Sequence, residues 1–269
     1  MEKFWIPSEQ MKELHNKLDI ALEAARTGAK IIIRNFGKFR DSKVKENAKG
    51  LVTQTDLEAE QAILKILTSK SDYQILSEES GAFGKNEGLI WVVDPLDGTT
   101  NFSRALPFFA VSVALMEGKE SLVGVIIDPI QNKEYYAIKG GGAFCNGERI
   151  SLPEFDDNYI PVVVLNHGYA EKDRNLYKEL SKRLATNNNI LKLGTTALEM
   201  CFLTSGSVDA FICSGDEIWD FAAGMLIAKE AGIIFTDWKG NRWNGKDHYL
   251  LFSRPEIHSE LVKQIQDLQ

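Results

Sequence analysis

The chain has 269 residues, 44% hydrophobic and 26% charged, a balance that supplies an ample core and excludes both a disordered chain and a disulfide-stapled miniature. Its 38 acidic and 31 basic side chains give a formal charge of −7, which disfavours non-specific contact with phosphate backbones, so nucleic acid is not the expected partner. The longest charge-free stretch in the apolar regions, Ala105 to Met116, is twelve residues with a proline, too short for a membrane helix.

The first seventeen residues have early charges and no apolar block, unlike a secretory signal. From Ser8 to Phe36, Met11, Leu14, Leu18, Ala21, Ala25, Ala29, Ile32 and Phe36 recur at helical spacing and predict a long amphipathic helix. A polar stretch, Gly37 to Gly50, follows; it has little to bury and is expected to order only around bound metal or substrate. Asp56 to Leu67 reads as a second helix, and Tyr73 to Leu76 as a strand running into Ser77-Glu78-Glu79-Ser80.

The period then changes. Leu89 to Val93, Ala110 to Met116, Leu122 to Asp128 and Glu134 to Ile138 are short, rich in Val and Ile, and separated by turn residues, as successive sheet strands are. Lys139 to Gly147 fails the dinucleotide pattern because Cys145 stands where the last glycine belongs, and it reads as a glycine-rich hairpin turn. Residues 151–161, with prolines and acidic side chains, form the candidate boundary between two halves of a single domain spanning 1–269. Beyond it come a strand at Val162 to Asn166, helices at Arg174 to Ala185 and Ala197 to Ser205, and a strand at Val208 to Cys213. Asp220 to Ala231 is apolar almost all round and predicts a buried helix capped by Gly232. Helices interleaved with strands indicate a layered α/β or α+β fold.

The three cysteines, Cys145, Cys201 and Cys213, form no C-x-x-C pair, and the four histidines no zinc pattern, which points to free thiols in a reducing, cytoplasmic setting. The informative chemistry lies in Trp91 to Phe102, WVVDPLDGTTNF. An apolar strand runs into Asp94, a stiffening proline and Asp97. Buried carboxylates need a compensating cation or hydrogen bonds, and hard ions such as Mg²⁺ select carboxylate and carbonyl oxygens. The same D-P-x-D-G string also makes a good type I turn. Glu78 and Glu79 after one apolar strand, Asp56 at one helix start and Asp220 at another place further carboxylates beside apolar sequence; singly, each also reads as a helix cap or turn residue.

Glu78-Glu79-Ser80, the 91–102 string and Trp219-Asp220-Phe221-Ala222-Ala223-Gly224 with Glu230-Ala231-Gly232 resemble, in order, the motifs of the inositol monophosphatase family. That family belongs to the lithium-sensitive, Mg²⁺-dependent phosphatases. The resemblance implies alternating helix and sheet layers, an αβαβα sandwich. It implies a phosphoric monoester hydrolase that uses two or three Mg²⁺ ions, commonly as a homodimer. Glu78, Asp94 and the Leu96 carbonyl would hold one ion and Asp94, Asp97 and Asp220 a second. Thr99 and Asp56 would position the attacking water, and the backbone N–H groups of Gly98 and Thr99 would meet the phosphate. Lys45 matches a lysine near the family's phosphate, and equally reads as one more solvated lysine. Gly194 and Thr195 match residues that line the sugar or inositol ring.

The implied substrate is inositol monophosphate or a related small phosphate ester. Fructose 1,6-bisphosphate, histidinol phosphate and 3′-phosphoadenosine 5′-phosphate are alternatives. A regulatory protein that binds transcription machinery is an alternative of another class. Cys213 stands where animal inositol monophosphatases have a ring-contacting glutamate, with Asp216 and Glu217 nearby as substitutes; if Cys213 faces the ring, Cys213→Glu should favour inositol 1-phosphate. Phe108, Phe109, Trp238 and Trp243 are apolar enough for a dimer interface and equally for the core.

Overall fold

The computed structural model describes residues 8–38, 42–44, 51–85 and 88–268. From the N-terminus come α1 (Ser8–Asn35), β1 (Ser42–Val44), β2 (Leu51–Thr53), α2 (Gln54–Lys70), β3 (Gln74–Ser77), β4 (Gly81–Phe83), β5 (Leu89–Asp97) and α3 (Thr99–Ser103). An antiparallel run follows: β6 (Ala110–Glu117), β7 (Glu120–Asp128), β8 (Lys133–Ile138), β9 (Gly142–Cys145) and β10 (Glu148–Arg149). The remainder is β11 (Val162–His167), α4 (Glu171–Leu184), β12 (Asn189–Leu191), α5 (Thr196–Thr204), β13 (Ala210–Ser214), α6 (Ile218–Ala231), β14 (Ile234–Asp237), β15 (Tyr249–Ser253) and α7 (Pro255–Ile265). Lys45 and most of the 37–50 stretch lie outside the described residues. Within that stretch Ser42–Val44 pairs with β2 rather than forming an open loop.

Eight strands form one sheet, in the order β10-β9-β8-β7-β6-β5-β3-β4, and five form another, β12-β11-β13-β15-β14. In the first, only β3 and β5 run parallel. Strand period 2 divides the apolar residues between two faces. On the large sheet Trp91, Val93, Val111, Val113, Leu115, Val123 and Val125 pack with α1 and α2, while Val92, Ala110, Ala114 and Ile126 pack with α5 and α6. On the small sheet Phe211, Cys213, Leu250 and Phe252 face that same α5–α6 layer, and Val163, Leu165, Ile212 and Leu251 face α4 and α7. The result is the layer order α, β, α, β, α anticipated from the motifs.

The all-round apolarity of α6 follows from its place between two sheets: Phe221 to Ala228 are all buried. Gly232 ends the helix at φ 100°, a left-handed position that favours glycine. The helix lies so close to β7 that a Cβ on Gly124 would meet the Ala223 carbonyl oxygen at 2.6 Å. Gly124→Ala is therefore expected to cost about 1–3 kcal/mol, read as a lower midpoint in chemical denaturation at unchanged slope.

Residues 151–161 join the last strand of the large sheet to the first of the small one. The aromatics offered as interface candidates resolve differently. Phe109 and Trp238 are fully buried and Trp243 is 4% exposed, so they belong to the core, with Phe108 packed against it. Beyond Gly232, where the patterning above places no element, the chain forms β14, β15 and α7. The strands there are too short to show a period, and Pro255 opens the final helix.

Candidate metal centre and active site

The site is built where β3, β5 and the start of α6 end side by side. Asp94 pairs with Ser112 on β6 and Asp97 pairs with Ala110, three steps on one strand against two on the other. This β-bulge falls at Pro95, which has no N–H for the ladder. One extra residue cancels the alternation that would send Asp94 and Asp97 to opposite faces, so the D-P-L-D spacing brings both carboxylates to one side. The turn and the acidic cluster are thus one feature.

Each acid is aimed by hydrogen bonds to one of its oxygens. Asp94 Oδ1 accepts from the Leu96 N–H at 2.9 Å. Asp97 Oδ2 accepts from the Ala197 N–H at 2.7 Å and from the Thr195 hydroxyl. Asp220 Oδ2 accepts from the Glu217 N–H at 2.7 Å, closing a capping box at the start of α6. Glu78 follows β3 in a turn whose N–H bonds to the Val93 carbonyl on β5 at 3.1 Å. That turn is pinned by the buried Glu60 of α2, which accepts from the Ser77 hydroxyl at 2.5 Å and from the Ser80 N–H at 3.0 Å.

Thr99 and Asp56 meet as the resemblance implies. The Thr99 hydroxyl lies 3.0 Å from Asp56 Oδ1 and 3.1 Å from the Leu96 carbonyl oxygen. Asp56 also serves its helix, since its Oδ2 accepts from the Thr53 N–H at 2.9 Å in a second capping box. The cap and the catalytic reading of Asp56 are therefore compatible, one oxygen each. Gly98 adopts φ 92° before α3, and a Cβ there would meet the Phe108 carbonyl oxygen at 3.1 Å, so glycine is required at this corner.

The electrostatics are those of charges crowded out of water. Burial first, then the charges of Glu78, Asp97 and Asp220, push the Asp94 carboxyl well above its ordinary range. Asp220 is raised well above its range by burial and by Asp216, Glu78 and Asp97. Burial takes Asp97 to about 7 against the pull of Thr195 and Ala197, and Asp56 to about 6 against the pull of Thr53 and Thr99. The largest causes acting on Asp94 all point the same way, so the group calls for positive charge. The donors are carboxylate and carbonyl oxygens, a set that fits a hard divalent ion. Among the described residues no three His, Cys, Asp or Glu side chains are drawn into ligating geometry.

Gly194 and Thr195 enter as support for this centre. The Thr195 side chain is buried with its hydroxyl given to Asp97, and Glu199 Oε1 accepts from the Leu193 and Gly194 N–H groups at 2.8 Å each. Asn101 Nδ2 donates to the Leu193 carbonyl at 2.9 Å. Sequence reasoning missed Glu60 and Glu199. Glu60 stands four residues beyond Asp56 on α2, the spacing that faces one side chain toward its neighbour, and Glu199 lies in the first turn of α5, whose N-cap is Thr195.

Cys213 corrects an expectation. It is fully buried on β13, facing α5 and α6, so it belongs to the core and not to a ring-binding surface. Cys213→Glu is accordingly expected to lower stability by about 3 kcal/mol or more without improving inositol 1-phosphate, measured by denaturation and by relative turnover. Asp216, three residues on, is held by the Thr196 hydroxyl at 2.7 Å and raised by burial to about 6. Glu217 caps α6.

Comparison with known proteins matches residues 13–269 to the model of the inositol monophosphatase family. The chain is 34% identical over 259 residues to the Nus factor SuhB of Pasteurella multocida, covering 93% of this chain and 95% of that protein. It is 34% identical over 254 residues to a fructose-1,6-bisphosphatase/inositol-1-monophosphatase of Thermotoga maritima, covering 94% and 97%. The crystal structure of the extragenic suppressor protein suhB of Bartonella henselae superposes with a TM-score of 0.87 at 28% identity, covering 93% of this chain and 98% of that one.

Proposed function

The chain belongs to the inositol monophosphatase family, and from that premise we propose that it is a Mg²⁺-dependent phosphomonoesterase acting on inositol monophosphate or a related small phosphate ester. The observation that carries this reading is the convergence of Glu78, Asp94, Asp97 and Asp220 from three separate elements into one group beside Thr99, close enough that the charges of the others raise Asp94 and those of Glu78 and Asp97 raise Asp220. Glu78, Asp94 and the Leu96 carbonyl would hold one ion and Asp94, Asp97 and Asp220 a second. Bound Mg²⁺ would neutralise the phosphate oxygens, acidify water and stabilise the leaving alkoxide.

The chain's own residues supply direction. With Asp56 ionised, the single Thr99 hydroxyl proton is given to Asp56 Oδ1, which leaves the Thr99 oxygen lone pairs to accept from a water and orient it. Gly98 and Thr99 present backbone N–H groups to the phosphate, and Lys45 is assigned to the same anion. Burial raises Asp56 to about 6 without metal and bound Mg²⁺ favours its ionised form, so kcat is expected to rise with pH along an acid limb at or below about 6. Asp56→Asn should abolish that limb and lower kcat by at least about 100-fold, since the amide can present its N–H to the Thr99 oxygen and occupy the lone pair that water needs.

A cytoplasmic location and a homodimer belong to the same reading. Three free cysteines accord with the first, and among the described residues no helix is long and apolar enough to cross a membrane. Light scattering at twice the chain mass would bear out the second. The name of the Pasteurella relative brings one further reading, contact with transcription machinery, which co-purification with RNA polymerase tests. The substrate is tested by phosphate release from inositol 1-phosphate, fructose 1,6-bisphosphate, histidinol phosphate and 3′-phosphoadenosine 5′-phosphate. One ester well above the others identifies the pocket's ligand; release from none contradicts the assignment.

A further inference from the structure

At the far end of α6 from Asp220, the fold encloses a second concavity that the chemistry above does not use. Asp220 lies in the first turn of the helix and Lys229 in the last. The cavity, about 310 Å³, sits between α6, the β6–β7 turn, the turn after β8 and the segment around Arg242. That volume is within the range of small-molecule sites. Its floor is apolar: Met225, Leu226, Ile233, Phe235 and Trp243. Its rim is cationic, with Lys119, Lys139, Lys229 and Arg242 against a single carboxylate, Glu120.

Glu120 is already committed. One of its oxygens pairs with Lys139 and the other lies 3.2 Å from Arg242 Nη2. The surrounding cations, Lys139 foremost, hold its carboxyl below the ordinary range. Four positive charges around one negative leave a local excess of about three on a chain whose net charge is −7. Such a concentration of one sign over a low-dielectric floor focuses potential at the mouth of the cavity. An apolar cup with a charged lip suits a ligand with an apolar body and an anionic head.

We propose that this cavity is a binding site for a small amphipathic anion, an aromatic or branched aliphatic body carrying a carboxylate, sulfonate or phosphate. The body lies on Leu226, Phe235 and Trp243, and the head meets Lys229 and Arg242. The site is separate from the metal centre and does not depend on the phosphatase reading.

The test uses 8-anilinonaphthalene-1-sulfonate as the probe, with the uncharged N-phenyl-1-naphthylamine as its control, on the intact chain. Saturable binding of one sulfonate per chain is expected. The Lys229→Glu/Arg242→Glu pair should weaken it by at least about tenfold while the uncharged dye changes by less than about twofold. Lys229→Gln/Arg242→Gln should fall between the two. Equal loss of both dyes, no saturable sulfonate binding, or sulfonate binding indifferent to the charge reversals would each overturn the proposal. So would displacement of the sulfonate by Mg²⁺ with inorganic phosphate in a manner unaffected by those substitutions, which would place the probe at the metal centre.

Discussion

Asp97→Asn is expected to lower kcat by more than about 100-fold while leaving the fold intact. Substitutions of groups that merely orient metal ligands cost roughly 10- to 100-fold, and Asp97 is assigned as a ligand itself. The substitution keeps shape: the amide oxygen can accept from the Ala197 N–H and the Thr195 hydroxyl, as Asp97 Oδ2 does at 2.7 Å from Ala197. What is lost is a negative charge facing Glu78 and Asp216, two of the charges that push the Asp97 carboxyl up to about 7. Removing a like charge from that group relieves repulsion, so metal-free Asp97→Asn should melt no lower than the metal-free wild type. Opposite signs for activity and stability mark a functional site held together against its own preference. Turnover equal to wild type, or a fall in both quantities together, would contradict this role.

The second large effect is a stability that declines with pH when metal is removed. Six carboxylates have folded pKa values raised, with burial the first cause in each: Asp56, Asp94, Asp97, Asp216, Asp220 and Glu199. In the unfolded chain these groups return to the ordinary carboxylate range, so between there and the folded values the native state binds more protons. Stability is then fully present below the unfolded values and lost as pH rises through about 6 to 8, where Asp56, Asp97 and Glu199 ionise. His167 and His258 are shifted down by burial and act the other way, but they are two against six. In chelator, the melting temperature should fall by about 5 °C or more between pH 6 and pH 8. Mg²⁺ favours the ionised carboxylates, so its stabilisation should be larger at pH 8 than at pH 6. A metal-free protein that gains stability across that interval would contradict the placement of these acids.

Much of this was legible in the amino-acid order because two apolar patterns carry it. The short Val- and Ile-rich runs of β5, β6 and β7 between turn residues and the all-round apolarity of Phe221 to Ala228 announce sheets with helices between them. The WVVDPLDGTTNF string announced the carboxylates and, through the resemblance, their partners. What the sequence withheld is the three-dimensional support. No local pattern reveals that Thr195 gives its hydroxyl to Asp97, or that Glu230 accepts from Gly140 and Gly142 at 2.7 and 2.9 Å, because the partners are remote in the chain. The bulge at Pro95 depends on the register with β6, which the neighbouring strand sets. Cys213 misled because correspondence of position says nothing of which face of β13 a side chain occupies, and that face is core.

The central claim is that the acidic group at the ends of β3, β5 and α6 works by holding Mg²⁺ for phosphate ester hydrolysis. The most direct measurement is phosphate release from inositol 1-phosphate and the alternative esters by chelator-stripped protein, followed as Mg²⁺ is restored. No release without the ion and saturable recovery with it, absent in Asp97→Asn, is the predicted result. Release that is indifferent to Mg²⁺, or recovery that survives loss of Asp97, would contradict it.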